Sequence, residues 1–246
     1  MLLENKIAVI TGNPYGIGRV SAALFEREGA KVICIDDSRN GWEATGASAA
    51  AAPHFLADVS DSGALAAVVA ECESMLERVD ILFNLAGRAV KQRFEATSEA
   101  TWNQMIARNL SAAFICSQQF LPLMKNATAG AIINHASIDG MLGNPSLAAY
   151  SAGKGGVIPL THVMAHDLRS YGIRVNCIST GGIRDGGARP EDAARIRVTP
   201  LCRTGTPEDV ARVALFLASG LSSYVNGANI VVDGGRTTIT QGCYED

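Results

Sequence analysis

The 246-residue chain is defined first by what it lacks. No apolar run reaches the ~20 residues a membrane-spanning helix needs. No secretory leader opens it, so a cytoplasmic placement is expected, and the triplets Asn109-Leu-Ser and Asn126-Ala-Thr read as chance matches to a glycosylation pattern. The net charge is −3, which leaves no basic footprint for nucleic acid or an anionic membrane surface. Six cysteines, at 34, 72, 116, 177, 202 and 243, form no Cys-x-x-Cys pair, and Cys34, Cys116 and Cys177 sit in apolar runs as buried thiols would. Four histidines show no metal-ligand spacing; His162 and His166 share a helical face without a Cys or acidic cluster around them, so no metal site is expected. There is no internal repeat and no linker long enough to divide the chain, which points to one domain over residues 1–246.

Hydrophobic residues make up 48% of the sequence, enough for a sizeable core. Strand-like apolar runs lie near 6–11, 31–36, 54–57, 80–84, 130–135, 173–178 and 229–233, and helical patterns near 16–29, 41–50, 61–78, 99–125, 148–171 and 206–219. Short strands alternating with helices predict parallel βαβ units, hence an α/β, Rossmann-like, doubly wound parallel sheet of about seven strands flanked by helices. In such sheets ligands bind beyond the carboxyl ends of the strands. That rule gathers Gly12–Gly18, Asp36, Asp58, Asn84–Gly87, Ser137 and Thr180–Asp185 on one rim.

The first strand runs into Gly12-Asn-Pro-Tyr-Gly16-Ile-Gly18 and then an amphipathic helix closed by Gly29. Glycines let backbone approach a pyrophosphate, and a helix N-terminus offers free N–H groups and a positive dipole end. The Gly-x-x-x-Gly-x-Gly spacing departs from the Gly-x-Gly-x-x-Gly dinucleotide fingerprint. The second strand ends in Asp36 about 20 residues on, where a carboxylate accepts the ribose hydroxyls of NAD. Asp36 and Asp37 would repel a 2′-phosphate; position 15 is Tyr and not a base, and Arg39 is the nearby cation that argues for NADP. The cofactor expected is NAD. Farther along, Tyr150 and Lys154 stand one helical turn apart, with Ser137 thirteen positions upstream. A Tyr hydroxyl ordinarily titrates near ~10, and a neighbouring ammonium favours its ionised form. The pair suits proton transfer near neutrality.

Together these residues resemble the short-chain dehydrogenase/reductase family over nearly the whole chain. Thr11-Gly12-x-x-x-Gly16-Ile-Gly18 is similar to its cofactor loop, Asp58-Val59 to its adenine contact, and Asn84-Leu-Ala86-Gly87 to its Asn-Asn-Ala-Gly signature, with Leu85 replacing the second Asn. Asn109 matches the helix Asn that completes a tetrad with Ser137, Tyr150 and Lys154. The stretches Pro200–Ala211 and Val231–Gly235 are also similar to family members. Two departures stand out. Thr180 replaces the Pro of the family's Pro-Gly after strand six, and Asp185 stands where a Thr touches the nicotinamide amide. The resemblance implies cofactor contacts from Gly12, Tyr15, Gly16, Ile17, Gly18, Asp36, Asp58, Val59, Asn84, Ala86, Gly87, Tyr150, Lys154, Thr180, Gly181, Ile183 and Asp185.

The reaction expected is hydride transfer between a carbon bearing oxygen and the nicotinamide, with the protein positioning and protonating. In this reading Tyr150 moves the substrate proton, Lys154 supports it, Ser137 binds the substrate oxygen, and Asn109 supports a water relay or serves as a buried amide tied to helix backbone. Candidate pocket residues are Asp139, Asn144 and Arg184, with Met141, His135, Asp185 and Arg189 around them. The segment 180–200 is rich in Gly and Arg and has no aromatic residue, which fits a short substrate lid around 182–200. A polar pocket suits a sugar, polyol or cyclic diol. Arg88, Lys91 and Arg93 read as a solvated loop or as partners for an anionic substrate group. The alternatives are a 3-oxoacyl thioester reductase of the same family and a catalytically silent NAD-sensing regulator. The family's habit and the apolar helices near 99–125 and 148–171 imply a homotetramer, and the tail 241–246 could cap a neighbouring site.

Overall fold

Among the described residues, seven strands are interleaved with helices. The computed structural model describes residues 1–13, 16–38 and 53–238. The strands are β1 (Ile7–Thr11), β2 (Lys31–Asp36), β3 (His54–Leu56), β4 (Ile81–Asn84), β5 (Gly130–Ser137), β6 (Ile173–Thr180) and β7 (Asn229–Val232). They form one sheet in the order β3-β2-β1-β4-β5-β6-β7. Every pairing is parallel. The order reverses at β1, whose neighbours are β2 and β4, and the crevice there is the usual ligand position of this architecture.

Alternation along each strand divides the core in two, because successive side chains point to opposite faces. On one face Val9, Ile33, Ile35, Leu82 and Ile132 pack with α2 (Ser62–Met75), α4 (Ala112–Lys125) and α5 (Ala148–Asp167). On the other, Ala8, Ile10, Val32, Ile81, Phe83 and Ile133 pack with α1 (Ile17–Arg27) and α7 (Pro207–Ala218). Local signals set the helix starts. The Asp61 side chain accepts from the Gly63 and Ala64 amides at the head of α2. Thr206 and Asp209 form a reciprocal capping box at α7, with Pro207 at its first position. The Asn13 Oδ1 accepts from the Arg19 amide in the first turn of α1, at 3.0 Å.

Two sequence expectations need adjustment. The helix expected over 99–125 is three segments: α3 (Glu99–Ile106), a π-helical turn (Ala107–Ser111), and α4. The 182–200 segment contains a further short helix, α6 (Ala193–Arg197), absent from the sequence reading. The helix expected near 41–50 lies outside the described residues. No described helix is long and apolar enough to cross a membrane.

Candidate active site

The carboxyl ends of β1, β2 and β4 open into a cleft of about 260 Å³ lined by Gly12, Asp36, Asp37, Asp58, Val59, Ala86 and Gly87. Gly12 has φ +78°, and a Cβ there would sit 2.6 Å from the Ala86 Cα. Only glycine fits, because the turn needs left-handed backbone and close approach at once. Val59 and Ile183 also pack into the two halves of the core. Tyr15 and Arg39 lie outside the described residues, as does the tail 241–246.

Arg108, which sequence reasoning missed, closes the far side of this cleft. Its guanidinium reaches Asp37 at 3.1 Å and Asp58 at 3.0 Å. Burial pushes the Asp58 carboxyl up, but bonds from the Ser60 hydroxyl and amide and the Arg108 charge outweigh it and hold it below its usual value. Fifty residues separate Arg108 from Asp58 in the chain, so no local pattern could reveal the pair.

The glycine turn also carries an ion pair that the sequence did not announce. Asp185 lies over Gly16, where any Cβ would collide with its carboxylate, and it pairs with the Arg19 guanidinium at 2.8 Å. Asp185 thus faces the first turn of α1 and the glycine turn before it.

Of the residues expected to move a proton, Lys154 is the most buried. Tyr150 and Lys154 both sit on the buried face of α5. Lys154 is 1% exposed, and its Nζ donates to the His135 carbonyl at 2.7 Å. Burial pulls its ammonium down from 10.5 to about 7. A Cβ on Gly87 would stand 2.7 Å from the Asn109 Oδ1 and 2.9 Å from the Lys154 Nζ, so the missing side chain lets the three groups converge. Asn109 sits in the π-helical turn, a common device at functional sites. Its Nδ2 donates to the Arg88 and Met105 carbonyls and its Oδ1 accepts from the Arg88 amide. The amide therefore clasps the loop after β4 to the helix, the backbone-tied arrangement that the sequence left open beside the relay.

Ser137 closes β5 directly opposite Thr180 at the end of β6. Its Oγ accepts from the Asp139 amide at 3.1 Å. Asn144 donates to the Asp139 carboxylate, so these two pocket candidates are joined on the Ser137 side. Asn84 points elsewhere: its Nδ2 donates to Asn134 Oδ1 at 2.9 Å and to Ser117 Oγ at 3.0 Å in a buried polar cluster. Arg184 does not point into a pocket either. It grips the fully buried Asp192 at 2.7–2.9 Å, joined by Arg195, so the 182–200 segment is built around one carboxylate. Asp192 was missed because an acidic pair, Glu191-Asp192, among arginines reads as surface charge. His135 is buried, not pocket-lining, and Arg93 pairs with its neighbour Glu95 in the exposed loop. Cys116 and Cys177 are buried thiols pushed up to about 12 and about 11, so neither is a nucleophile.

A family model described as enoyl-(acyl carrier protein) reductase matches residues 12–237. The chain is 38% identical over 245 residues to the galactitol 2-dehydrogenase (L-tagatose-forming) of Cereibacter sphaeroides, covering 96% of each chain. It is 37% identical over 247 residues to the meso-2,3-butanediol dehydrogenase of Serratia marcescens, again over 96% of each. It is 38% identical over 244 residues to the 3-oxoacyl-(acyl-carrier-protein) reductase FabG of Thermotoga maritima, covering 96% of this chain and 99% of the relative.

Proposed function

The chain belongs to the short-chain dehydrogenase/reductase family and is an oxidoreductase; from that premise we propose that it interconverts a secondary alcohol and a ketone with NAD, on a polar hydroxylated small molecule such as a sugar, polyol or cyclic diol. The observation that carries the reading is the convergence of Lys154, Asn109 and Gly87 at the strand ends, beside Ser137 and the Tyr150 helix and next to the cleft. The glycine turn and cleft fit a dinucleotide, since a Cβ at Gly12 would fill the space where backbone must be approached.

In this reading Gly12, Gly16, Ile17 and Gly18 hold the pyrophosphate, Asp36 the adenine ribose, and Asp58 and Val59 the adenine. Asn84, Ala86, Gly87, Thr180, Gly181, Ile183 and Asp185 border the nicotinamide half. The bound cofactor supplies the hydride acceptor or donor. Ser137 Oγ bonds the substrate oxygen and Tyr150 Oη takes its proton during oxidation, or returns it during reduction. Lys154 stabilises the phenolate by charge, and Asn109 holds the loop that borders Lys154. Asp139 and Asn144 offer polar contacts on the Ser137 side, and the polyol and diol names of two relatives agree with them. Arg184 enters only through the lid, which it ties to Asp192.

Asp36 and Asp37 both line the cleft and support NAD over NADP, since carboxylates there would repel a 2′-phosphate. A homotetramer is proposed with it: Phe114 on α4 and Val163 on α5 are about half exposed, apolar surface that a second protomer would cover. A cytoplasmic setting agrees with the free cysteines among the described residues. The test is NADH formation across sugars, polyols, cyclic diols, hydroxy acids and simple secondary alcohols, with NADP⁺ in parallel. Turnover with NAD⁺ on one polyhydroxylated class is the expected result. Turnover only with NADP⁺ on 3-oxoacyl thioesters would overturn it in favour of the thioester reductase. Tight NAD binding without turnover would favour the silent regulator.

A further inference from the structure

Thr180 breaks the family's pattern, and the structure shows what its hydroxyl meets. Its Oγ1 lies 3.0 Å from Nε2 of His135, across the β5–β6 ladder. His135 is 4% exposed and stands two residues before Ser137. Its Nδ1 is 3.5 Å from Lys154 Nζ, and its own carbonyl takes the 2.7 Å bond from the same ammonium. The ring also donates toward the Leu85 backbone just past β4, a contact that favours the protonated ring and shares its one N–H in the neutral form. Among these neighbours from α5, β6 and the β4 end, Lys154 is the charged one.

An ammonium has donors only, and a neutral imidazole has one donor and one acceptor. Opposite charged Lys154, the matched tautomer leaves Nδ1 bare and puts the proton on Nε2, which then donates to Thr180 Oγ1. When Lys154 is neutral, the other tautomer is matched, with Thr180 donating to Nε2. A threonine hydroxyl serves both arrangements because it can donate and accept. The proline implied by the resemblance serves neither. A doubly protonated ring is disfavoured here by burial and by the Lys154 charge, which outweigh the contact with the Leu85 backbone.

We propose that His135 and Thr180 act together as a positioning pair for Lys154, the imidazole giving the buried ammonium a second acceptor and Thr180 holding the imidazole in the tautomer that can do so. This rests on the proposed role of Lys154 in proton transfer and deepens it. Thr180 is then a substitution coupled to His135, and its hydroxyl is committed to the ring and not to the cofactor.

The test uses the full-length enzyme and the variants His135→Leu, His135→Asn and Thr180→Val. The Asn side chain keeps an oxygen acceptor near the Nδ1 position, so it separates loss of the acceptor from loss of packing. For alcohol oxidation, His135→Leu should move the acidic limb of the pH profile upward by about one pH unit, the scale of one hydrogen bond to a charged group. The rate constant kcat near pH 7 should fall about tenfold with KM nearly constant. His135→Asn should return the limb toward wild type. Thr180→Val should move it in the same direction as His135→Leu, and the double variant should be no worse than His135→Leu alone. Independently of turnover, ¹⁵N NMR of histidine-labelled protein should show His135 neutral and protonated on Nε2 near pH 6. Unmoved pH limbs, additive double-variant effects, or an Nδ1–H tautomer in that spectrum would overturn the pairing. So would a Thr180→Val variant that weakens NADH binding while leaving the pH limb in place. A wild-type protein without turnover on any alcohol would instead defeat the functional reading, and the NMR tautomer would still decide the pair.

Discussion

Replacing Lys154 by Met should make the cofactor-free protein more stable while abolishing turnover. Burial lowers the Lys154 ammonium from 10.5 to about 7. At about 1.4 kcal/mol for each tenfold change in proton affinity, the folded state carries about 5 kcal/mol of unfavourable charge burial. A Met side chain fills a similar volume without the charge but leaves the His135 carbonyl without its 2.7 Å donor, costing about 1 kcal/mol. The net gain is about 4 kcal/mol at pH 6.5, equivalent to a rise in Tm of about 10 °C for a chain of this size. The pH dependence carries the diagnosis. Between about 7 and 10.5 the unfolded chain binds the Lys154 proton more tightly than the folded one, so wild-type stability gains from this residue as pH rises through that window. The unfavourable term is complete below pH about 7 and gone above 10.5. The gap between variant and wild type should therefore be wide at pH 6.5 and nearly closed at pH 9.5. Thermal and urea unfolding at both pH values, at one fixed protein concentration and without cofactor, would measure it, since oligomers make Tm concentration-dependent. A variant no more stable than wild type at pH 6.5, or a gap that does not narrow with pH, would refute the reasoning.

Three further outcomes follow from the same geometry. Asp185→Thr removes a carboxylate from above Gly16 and frees Arg19, so NADH should bind about three- to tenfold more tightly in a fluorescence titration, given the usual worth of a charge at a helix end. Unchanged or weaker binding would show that the ion pair does not compete with the pyrophosphate. Asp36→Ser removes one of the two carboxylates repelling a 2′-phosphate, and the NADP⁺/NAD⁺ ratio of kcat/KM should rise about tenfold or more, the size of one close charge interaction near a protein surface. A ratio that stays put would shift the selection to Asp37 or elsewhere. Phe120→Ala empties a fully buried site between the sheet and α4 and should lower unfolding free energy by about 3–5 kcal/mol in urea, without a change in KM for the cofactor.

The sequence alone determined the architecture, because hydrophobic periodicity and turn chemistry are local. Alternating apolar strands and amphipathic helices imply a parallel sheet, and parallel strands put Thr11, Asp36, Asn84, Ser137 and Thr180 on one rim without any coordinates. Tyr150 and Lys154 were legible for the same reason, since one helical turn is a sequence distance. What tertiary structure decided were the partnerships between residues far apart in the chain. Whether Asn109 clasps backbone, whether Arg184 faces a pocket or the buried Asp192, and whether Arg108 closes the cleft onto Asp58 each depend on how separate elements pack. The same holds for Thr180. As a residue it looked like a loss, a hydroxyl where a ring should be. Packed beside β5 it is the partner of His135, 45 positions away, and the two stand behind Lys154. A one-dimensional pattern records which groups are present; hydrogen-bond direction and burial, which set what those groups do, exist only after the sheet has brought its strands side by side.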